Sequence, residues 1–345
     1  MLLIGDCFQK ILEIEEASVQ TIVTSPPYWG LRDYGLPKSV WGGIESCCHS
    51  WENTILKRDS GKNTGNNTDW HRPSREFIPE DSKSRLCIKC GAWYGCLGLE
   101  PTHLMFIENL NLIFEEVRRV LKDDGTCWVN LGDTYVGGGR GGKTGDQTGN
   151  SLDRSRSDNG TKWGPPTGKV EGLKPKDLTG VPWRFALRSQ DAGWYLRSDI
   201  IWHKGNPMPE SVTDRPSKSH EYIFLLTKSK KYYYNAGAVE EPTLERSTNE
   251  GPCAMQFRNR RSVWKINIKP VKEAHFATYP ERIPELCIKA GCKEGGTVLD
   301  PFFGSGTTGR VAERLGRKWI GIEMNPEYVK IAKQRTSQMN IFAPK

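Results

Sequence analysis

Ser25, Pro26, Pro27 and Tyr28 are the residues near the start of the chain that are best suited to chemistry. They follow the β-forming run 21–24. Two consecutive prolines cannot continue a helix and cannot donate to a sheet ladder, so the strand must end there on a rigid turn. A surface turn with exposed aromatic residues would fit this pattern. A fixed carbonyl beside an aromatic ring would also suit a flat heterocycle that carries an amino group.

A second candidate site is the stretch VLDPFFGSGTTG, residues 298–309. A predicted buried strand ends at Asp300 and enters a glycine-rich turn and a helix, and ligands bind at such strand ends in open α/β sheets. The glycines could simply pack a strand on a helix, since the turn matches neither the dinucleotide fingerprint nor the P-loop. Glu323 ends the next strand about 20 residues later, where an acidic residue usually holds ribose hydroxyls. Together they favour a nucleoside cofactor without a pyrophosphate, above all S-adenosylmethionine.

Cysteine and histidine residues cluster in CCHSW, residues 47–51, and CIKCGAWYGC, residues 87–96. The Cys87-x-x-Cys90 pair followed by glycine is typical of a structural zinc knuckle, and Cys47 and His49 would complete a tetrahedral set. Cys48 could replace Cys47 or His49, and Cys96 is a spare. The alternative is a group of free thiols. The polar segment 50–86 has little apolar content of its own, so a metal would help it to fold.

The composition sets the broad class of protein. The 345 residues include 49 Lys and Arg against 41 Asp and Glu, a net charge of +8 that permits a polyanionic partner. No apolar run approaches the roughly 18 residues that a membrane span requires, and the first ten residues lack the features of a signal peptide. A soluble, intracellular protein without membrane contact and without disulfides is therefore expected.

Strands that alternate with helices predict an α/β fold with a doubly wound, mostly parallel sheet. The core comprises residues 1–40, 101–135, 181–235 and 273–345. Three segments interrupt it: a zinc-binding insertion at 41–100, a flexible glycine-rich loop at 136–180, and an irregular basic region at 236–272. A long amphipathic helix should begin at Thr102 and stop at Gly125, with its apolar face formed by Leu104, Ile107, Leu110, Phe114, Val117 and Leu121.

Taken together, the stretches TSPPY and DPFFGSGTT closely resemble the DNA amino-methyltransferases, which methylate N4 of cytosine or N6 of adenine. The resemblance covers most of the chain outside 41–100, 136–176 and 236–272. The order of the two motifs is similar to that of the circularly permuted group often called β. The resemblance implies a methyltransferase fold, S-adenosylmethionine as cofactor and double-stranded DNA as partner, with a restriction endonuclease partner left open.

The resemblance also implies roles for individual residues. Ser25 and the Pro26 carbonyl would accept the hydrogens of the target amine, Pro27 would keep that carbonyl fixed, and Tyr28 would stack on a flipped-out base. Serine at this position favours cytosine N4, with adenine N6 as the alternative. Residues expected at the cofactor are Asp6 and Cys7 at the adenine, Glu323 at the ribose, Phe276 and Thr278 at the methionine end, and Asp300, Pro301, Phe302, Gly304 and Gly306 in the turn.

Three other interpretations fit parts of the sequence. Pro252-Cys253 could serve a methyltransferase that attacks cytosine carbon 5, but it lies in a basic, irregular stretch with no partner motif. A non-catalytic, zinc-containing DNA-binding protein and a methyltransferase of RNA or protein amines are the remaining alternatives. For a DNA enzyme, the arginines of RNRR at 258–261 should contact phosphates within a target-recognition region at 236–272.

Overall fold

A computed structural model describes residues 1–30, 34–44, 46–53, 85–136, 172–243, 257–268 and 279–337. Its contacts divide the chain into two compact units. The first comprises Met1–Pro26, Asn111–Gly132 and Pro182–Lys345, and the second comprises Pro27–Leu110 and Asp133–Val181.

The described residues form fourteen strands and six α-helices. The strands are β1 (Leu2–Ile4), β2 (Val19–Thr24), β3 (Ser39–Trp41), β4 (Trp51–Asn53), β5 (Arg85–Cys87), β6 (Trp93–Gly95), β7 (Leu121–Leu131), β8 (Tyr195–His203), β9 (His220–Thr227), β10 (Glu241–Pro242), β11 (Phe257–Arg258), β12 (Val263–Lys265), β13 (Thr297–Asp300) and β14 (Lys318–Glu323). The helices are α1 (Cys7–Leu12), α2 (His103–Val120), α3 (Val181–Asp191), α4 (Arg282–Gly291), α5 (Thr307–Arg314) and α6 (Pro326–Ser337). None of these helices is both long and apolar enough to cross a membrane.

The first unit is built on an eight-stranded sheet with the order β1-β14-β13-β2-β7-β9-β8-β12. Every neighbouring pair is parallel except the two pairs that include β9, which runs against the other strands. Strand β2 lies inside the sheet and is buried along its whole length, because apolar residues and threonines fill its faces and its one amide, Gln20, donates to Asp124 at 3.0 Å. The prediction of an α/β fold with a mostly parallel sheet is confirmed.

Helix α2 differs from its prediction at one end. Thr102 caps it through a 3.1 Å side-chain hydrogen bond, as expected. The helix ends at Val120 instead of near Gly125, because Leu121 already pairs with Val19 in the sheet. Leu104, assigned to the apolar face, is 49% exposed, whereas the other five predicted positions are buried. The apolar period alone therefore gave the correct face but not the end of the helix.

The region expected to be irregular at 236–272 also contributes to the sheet. Residues 263–265 form β12, which pairs in parallel with β8, and the indole of Trp264 is buried. Strands β10 and β11 form a short antiparallel ladder of their own. The prediction of irregular structure was wrong for these residues, since a three-residue edge strand leaves almost no periodic signal.

The second unit contains a separate four-stranded antiparallel sheet with the order β3-β6-β5-β4. Buried residues of this unit include the indoles of Trp29, Trp41 and Trp93 together with Ala92. The predicted insertion at 41–100 supplies nearly all of this sheet, while its residues 54–84 lie outside the described part of the chain. Of the predicted glycine-rich loop, residues 137–171 lie outside it as well.

Candidate functional site

The candidate residues of the first unit lie along one edge of its sheet. Strands β1, β14, β13, β2 and β7 are parallel neighbours, so their carboxyl ends share an edge, which we call the parallel edge. Asp6 follows β1, Glu323 ends β14, Asp300 ends β13, Ser25 follows β2, and Asn130 lies near the end of β7. The parallel pairing therefore brings together residues that lie about 300 positions apart in the sequence.

Asp300 connects the two motifs. Its Oδ1 accepts hydrogen bonds from the Thr24 hydroxyl at 2.6 Å and the Phe302 N–H at 3.1 Å. Its Oδ2 accepts from the Thr308 hydroxyl at 2.6 Å and from the Tyr279 hydroxyl at 3.4 Å. The side chain is buried, and burial raises its pKa despite these donors. Asp300 thus joins β2, β13 and α5, and these contacts fit a positioning group better than a direct ligand of a cofactor.

The glycine-rich turn needs its glycines for two different reasons. Gly304 and Gly306 have φ angles of +52° and +82°, a region that favours glycine. A Cβ on Gly306 would lie 3.1–3.2 Å from Ala332 and Phe303, so that position is sterically closed. A Cβ on Gly304 would meet no atom closer than 4.0 Å, so this side of the turn is open to a ligand.

Glu323 and Asp6 lie at adjacent strand ends. The Glu323 carboxylate accepts from the Gly304 N–H at 2.7 Å and from the Asn325 N–H at 2.7 Å, and burial raises its pKa. The N–H of Gly5 donates to the Glu323 carbonyl at 3.0 Å, so β1 ends beside β14. Asp6 caps α1 by accepting two backbone N–H groups at 3.0 and 3.2 Å.

Cys7, Pro301 and Phe302 are the other described residues that were predicted to lie at the cofactor. Burial, reinforced by the carboxylates of Asp6 and Glu323, raises the pKa of the Cys7 thiol well above its ordinary value, so it stays neutral. Pro301 is buried in the turn and Phe302 is half-buried. Phe276 and Thr278 lie outside the described residues. Carboxylate acceptors beside an open glycine turn fit the ribose and adenine of a nucleoside.

Ser25 has a partner that the sequence did not reveal. Its hydroxyl donates to the Asn130 Oδ1 at 3.5 Å. The Asn130 amide group donates to Glu221 Oε2 and to the Tyr222 carbonyl, both at 3.1 Å, and Lys204 forms an ion pair with Glu221. These contacts fix the amide with its oxygen toward Ser25. The signal in the sequence was a single amide residue in the buried run 127–131.

Residues 25–30, which we call the corner, combine buried and accessible groups. Pro26 and Trp29 are buried, whereas Ser25, Pro27 and Tyr28 are half-buried. In the second unit, the Trp29 indole N–H donates to the Glu100 carbonyl at 3.0 Å, and the Gly30 N–H donates to the Gly98 carbonyl at 2.8 Å. Residues 98–100 therefore form a backing for the corner from Trp29 onward.

Glu100 is an unusual part of that backing because its carboxyl group is almost fully buried, at 3% exposure. It accepts hydrogen bonds from the Gly98 N–H at 2.8 Å and from the Asn109 amide at 3.1 Å. Burial nevertheless raises its pKa to about 8, so the group holds a proton at neutral pH. No motif in the sequence pointed to this residue.

Cys47, His49, Cys87 and Cys90 form one compact group, which we call the Cys–His cluster. One ligand atom from each residue lies within 4.8 Å of the other three. The sulfur atoms of Cys47 and Cys87 are 4.0 Å apart, and the Cys90 sulfur is 3.4 Å from the His49 Nδ1. All nine described cysteines are free of disulfide bonds. The four residues expected to bind a metal are thus brought together.

The two spare cysteines stay outside the cluster. Cys48 is exposed and its sulfur accepts from the Lys89 ammonium at 3.2 Å, while the Cys96 thiol donates to the Leu36 carbonyl at 3.1 Å. Burial opposes ionisation of the Cys87 thiol, but its hydrogen bonds with His49 and nearby N–H groups outweigh it and lower its pKa to about 6. A thiol that ionises readily is a suitable metal ligand.

Comparison with known proteins gives one family match. The model of the N6_N4_Mtase family, described as DNA methylase, matches residues 19–334. The chain is 41% identical over 334 residues to the type II methyltransferase M.SmaI of Serratia marcescens, covering 97% of this chain and 89% of that protein. It is 42% identical over 331 residues to M.Cfr9I of Citrobacter freundii, covering 96% and 85%.

Two solved structures share the fold. The PvuII DNA methyltransferase, described as cytosine-N4-specific, aligns with a TM-score of 0.58 at 18% identity, covering 97% of this chain and 85% of that one. A DNA modification methylase from Thermus thermophilus, described as putative and complexed with S-adenosyl-L-methionine, aligns with a TM-score of 0.52 at 21% identity, covering 98% and 94%. At these identities the likeness extends to the fold alone.

Proposed function

The chain belongs to the N6_N4_Mtase family of DNA methylases, and we propose that it transfers a methyl group from S-adenosylmethionine to N4 of a flipped-out cytosine in double-stranded DNA. The observation that carries this proposal is the hydrogen bond of 2.6 Å between Thr24 and Asp300, which joins the strand before the Ser25 corner to the strand before the glycine turn. Amine acceptors and a nucleoside site are thereby held at neighbouring strand ends. The reaction is expected in the cytoplasm of a prokaryote or of a phage-infected host.

The cofactor site has acceptors suited to a nucleoside. Glu323 would take the ribose hydroxyls, and Asp6 with Cys7 would lie at the adenine. Because a Cβ at Gly304 would meet nothing closer than 4.0 Å, the turn lets the ligand approach its backbone. Once bound, S-adenosylmethionine supplies an electrophilic methyl group on a sulfonium.

Ser25 and Pro26 prepare the nucleophile. The exocyclic amine is a poor nucleophile because its lone pair is delocalised into the ring. The Pro26 carbonyl and the Ser25 oxygen accept its two hydrogens and draw the nitrogen toward tetrahedral geometry. Because the Ser25 hydroxyl donates its proton to Asn130, the lone pairs of the serine oxygen remain free for the amine. The nitrogen–methyl bond forms as the sulfur–methyl bond breaks, and one amine proton leaves to solvent.

The choice of cytosine over adenine rests on Ser25 and on the fold shared with an enzyme described as cytosine-N4-specific. Both bases present an amine on a flat ring, so methylation of adenine N6 by the same residues is the second candidate. The permuted order of the motifs, with the corner before the glycine turn, is part of the same proposal. A restriction endonuclease partner is left open.

The decisive experiment is mass spectrometry of nucleosides from unmethylated DNA of mixed sequence after incubation with the protein and S-adenosylmethionine. We expect N4-methylcytosine, and a Ser25→Ala variant should give far less of it. N6-methyladenine would retain the mechanism and overturn the base assignment. If no base is modified, and calorimetry detects no binding of S-adenosylmethionine, the non-catalytic DNA-binding alternative replaces the enzyme.

The Cys–His cluster holds a structural zinc ion in this proposal. Three thiolates and one imidazole form the donor set of closed tetrahedral zinc sites, which leave no open position for catalysis. Two sulfurs bound to one zinc ion lie about 3.8 Å apart, and a sulfur and a nitrogen about 3.6 Å apart, from the usual bond lengths at tetrahedral angles. The observed separations of 4.0 and 3.4 Å agree with both values. The purified protein should contain one zinc ion per chain.

The basic segment around residue 260 is proposed to contact DNA phosphates. Arg258, Arg260 and Arg261 surround the carboxylate of Glu241 at 3.2, 3.8 and 2.8 Å. Three guanidinium groups around one carboxylate leave a positive surface, and Arg261 is 64% exposed. The dependence of DNA affinity on salt concentration tests this role, since Arg261→Gln should reduce the logarithmic slope by about 1.

A further inference from the structure

We infer that the metal held by the Cys–His cluster positions the base-facing corner, so that removing the metal impairs handling of DNA while leaving the cofactor site intact. This inference rests on the proposed methyl transfer, in which Tyr28 stacks on the target base. It assigns to the metal ion a positioning role in the second unit, beyond the folding of the polar insertion around it.

The cluster joins two loops that have few other means of staying together. Cys47 and His49 precede β4, whereas Cys87 ends β5 and Cys90 lies on the turn between β5 and β6. Each of these strands has only three residues. Since short strands contribute few ladder hydrogen bonds, four metal–ligand bonds would dominate the stability of this sheet.

The loops are shaped to bring the ligands close. The Cys87 N–H donates to the Ala92 carbonyl at 2.7 Å, and the Gly91 N–H donates to the Cys87 carbonyl at 2.9 Å, which closes the knuckle. A Cβ on Gly43 would lie 2.9 Å from the Cys90 sulfur and 2.6 Å from the Cβ of Ala92. The loop that contains Gly43 therefore passes the knuckle at a distance that only glycine permits.

A short covalent path leads from the cluster to the corner. Strand β6 begins three residues after Cys90, and it continues directly into residues 96–100. The carbonyls of Gly98 and Glu100 then accept the backbone N–H of Gly30 and the indole N–H of Trp29, at 2.8 and 3.0 Å. A Cβ on Gly98 would lie 3.2 Å from the Pro27 Cβ, so the backing is in close contact with the corner. Any shift of β6 would therefore move the residues that flank Tyr28.

The test compares Cys90→Ser with Cys48→Ser, since both change a thiol in the same sheet region and only the first removes a cluster ligand. Metal content, calorimetric affinity for S-adenosylmethionine, methylation kinetics and amide hydrogen exchange are measured for both variants and for the parent protein. We expect Cys48→Ser to match the parent. Cys90→Ser should lose zinc, lose at least tenfold in kcat/KM for DNA, and retain its affinity for S-adenosylmethionine within about twofold.

Hydrogen exchange gives the readout that activity alone does not. The amides of Gly30 and Gly98 should exchange at least tenfold faster without the metal, while the Gly304 amide, bonded to Glu323 at 2.7 Å, stays unchanged. Should Cys90→Ser not fold, the parent protein is stripped with a chelator and reloaded with zinc or cobalt, and the same amides are followed. Cobalt also reports tetrahedral thiolate coordination through its visible spectrum.

Two results would overturn the inference. One is a parent protein that contains no zinc and is indifferent to the chelator. The other is loss of the metal without faster exchange at Gly30 and Gly98. Both are distinguishable from failure of the proposed function, in which the zinc-loaded parent protein itself forms no methylated nucleoside.

Discussion

The parallel edge and the Cys–His cluster both hold loop residues in fixed positions, but by different means. At the parallel edge, strands from both ends of the chain pair beside the fully buried β2, and Asp300 accepts four hydrogen bonds. In the four-stranded sheet every strand has three residues, and four ligand atoms within 4.8 Å supply the closure. The first region should therefore respond to loss of a side chain, and the second to loss of a metal.

Removing the Asp300 carboxylate should have the largest effect and should break the parallel edge alone. Asp300→Ala leaves the Thr24 hydroxyl and the Phe302 N–H without their acceptor and weakens the bonding of two further hydroxyl groups in a buried site, which costs about 3 kcal/mol or more. We expect lost binding of S-adenosylmethionine in calorimetry and a lower free energy of unfolding in urea, with zinc content unchanged. Asp199→Ala, which changes an exposed residue of β8, is the control. Intact cofactor binding would refute the positioning role of Asp300.

Variants of Ser25 and Asn130 test whether the hydrogen bond between these two side chains contributes to the rate of methyl transfer. Ser25→Ala should lower the rate constant for single-turnover methylation about a hundredfold, the scale of one lost transition-state hydrogen bond. Asn130→Ala should lower it about tenfold, because the Ser25 oxygen remains in place and only its hydroxyl is freed to rotate. Affinity for S-adenosylmethionine should not change. The double variant should be no slower than Ser25→Ala, and a product of the two separate losses would show that Asn130 acts without Ser25.

Glu100 tests the second unit. Its expected effect, a change in the free energy of unfolding for each pH unit, is the smallest of those predicted. Its folded pKa of about 8 lies above the ordinary 4.5, so between these values the folded protein holds a proton that the unfolded chain has lost. Stability therefore falls as pH rises through this window, by up to about 1.4 kcal/mol per pH unit.

Glu100→Gln should remove that slope, measured by urea unfolding of the zinc-loaded protein at pH 5, 6.5 and 8. Any pH dependence that arises from the Cys–His cluster is common to both proteins, so their difference isolates Glu100. Glu108→Gln, a change of an exposed residue on α2, should retain the slope of the parent protein. A parent slope equal to that of Glu100→Gln would show that the buried carboxyl is already ionised at pH 5.

The two regions also differ in how far the sequence could predict them. Strands β2, β13 and β14 and the convergence of Asp6, Asp300 and Glu323 at one edge were predictable, because apolar runs that end in a polar residue carry a strong signal. Strand β12 was missed because three residues show no period, and the end of α2 was misplaced because Leu121 continues the apolar spacing into the sheet.

Spacing alone selected the four residues that the structure brings together as the Cys–His cluster, since Cys-x-x-Cys and Cys-x-His each place two donors on one loop. The spacing of residues could not predict contacts between residues that are distant in the sequence. Asn130 faces Ser25 across 105 positions, and Glu100 supports Trp29 across 71. Such pairings depend on which strands become neighbours, and no local pattern encodes that choice.

The pairing of β1 with β14 has a consequence for biosynthesis. Leu2, Leu3 and Ile4 leave the ribosome long before their partners, residues 321–323. Likewise β2 waits for β13, which lies more than 270 positions later. Although β7 follows early enough to cover one edge of β2, the other edge stays unpaired through most of the synthesis, when it is open to chaperones and to aggregation. If Glu323 holds the ribose as proposed, newly made protein completes its cofactor site only after translation has passed this residue.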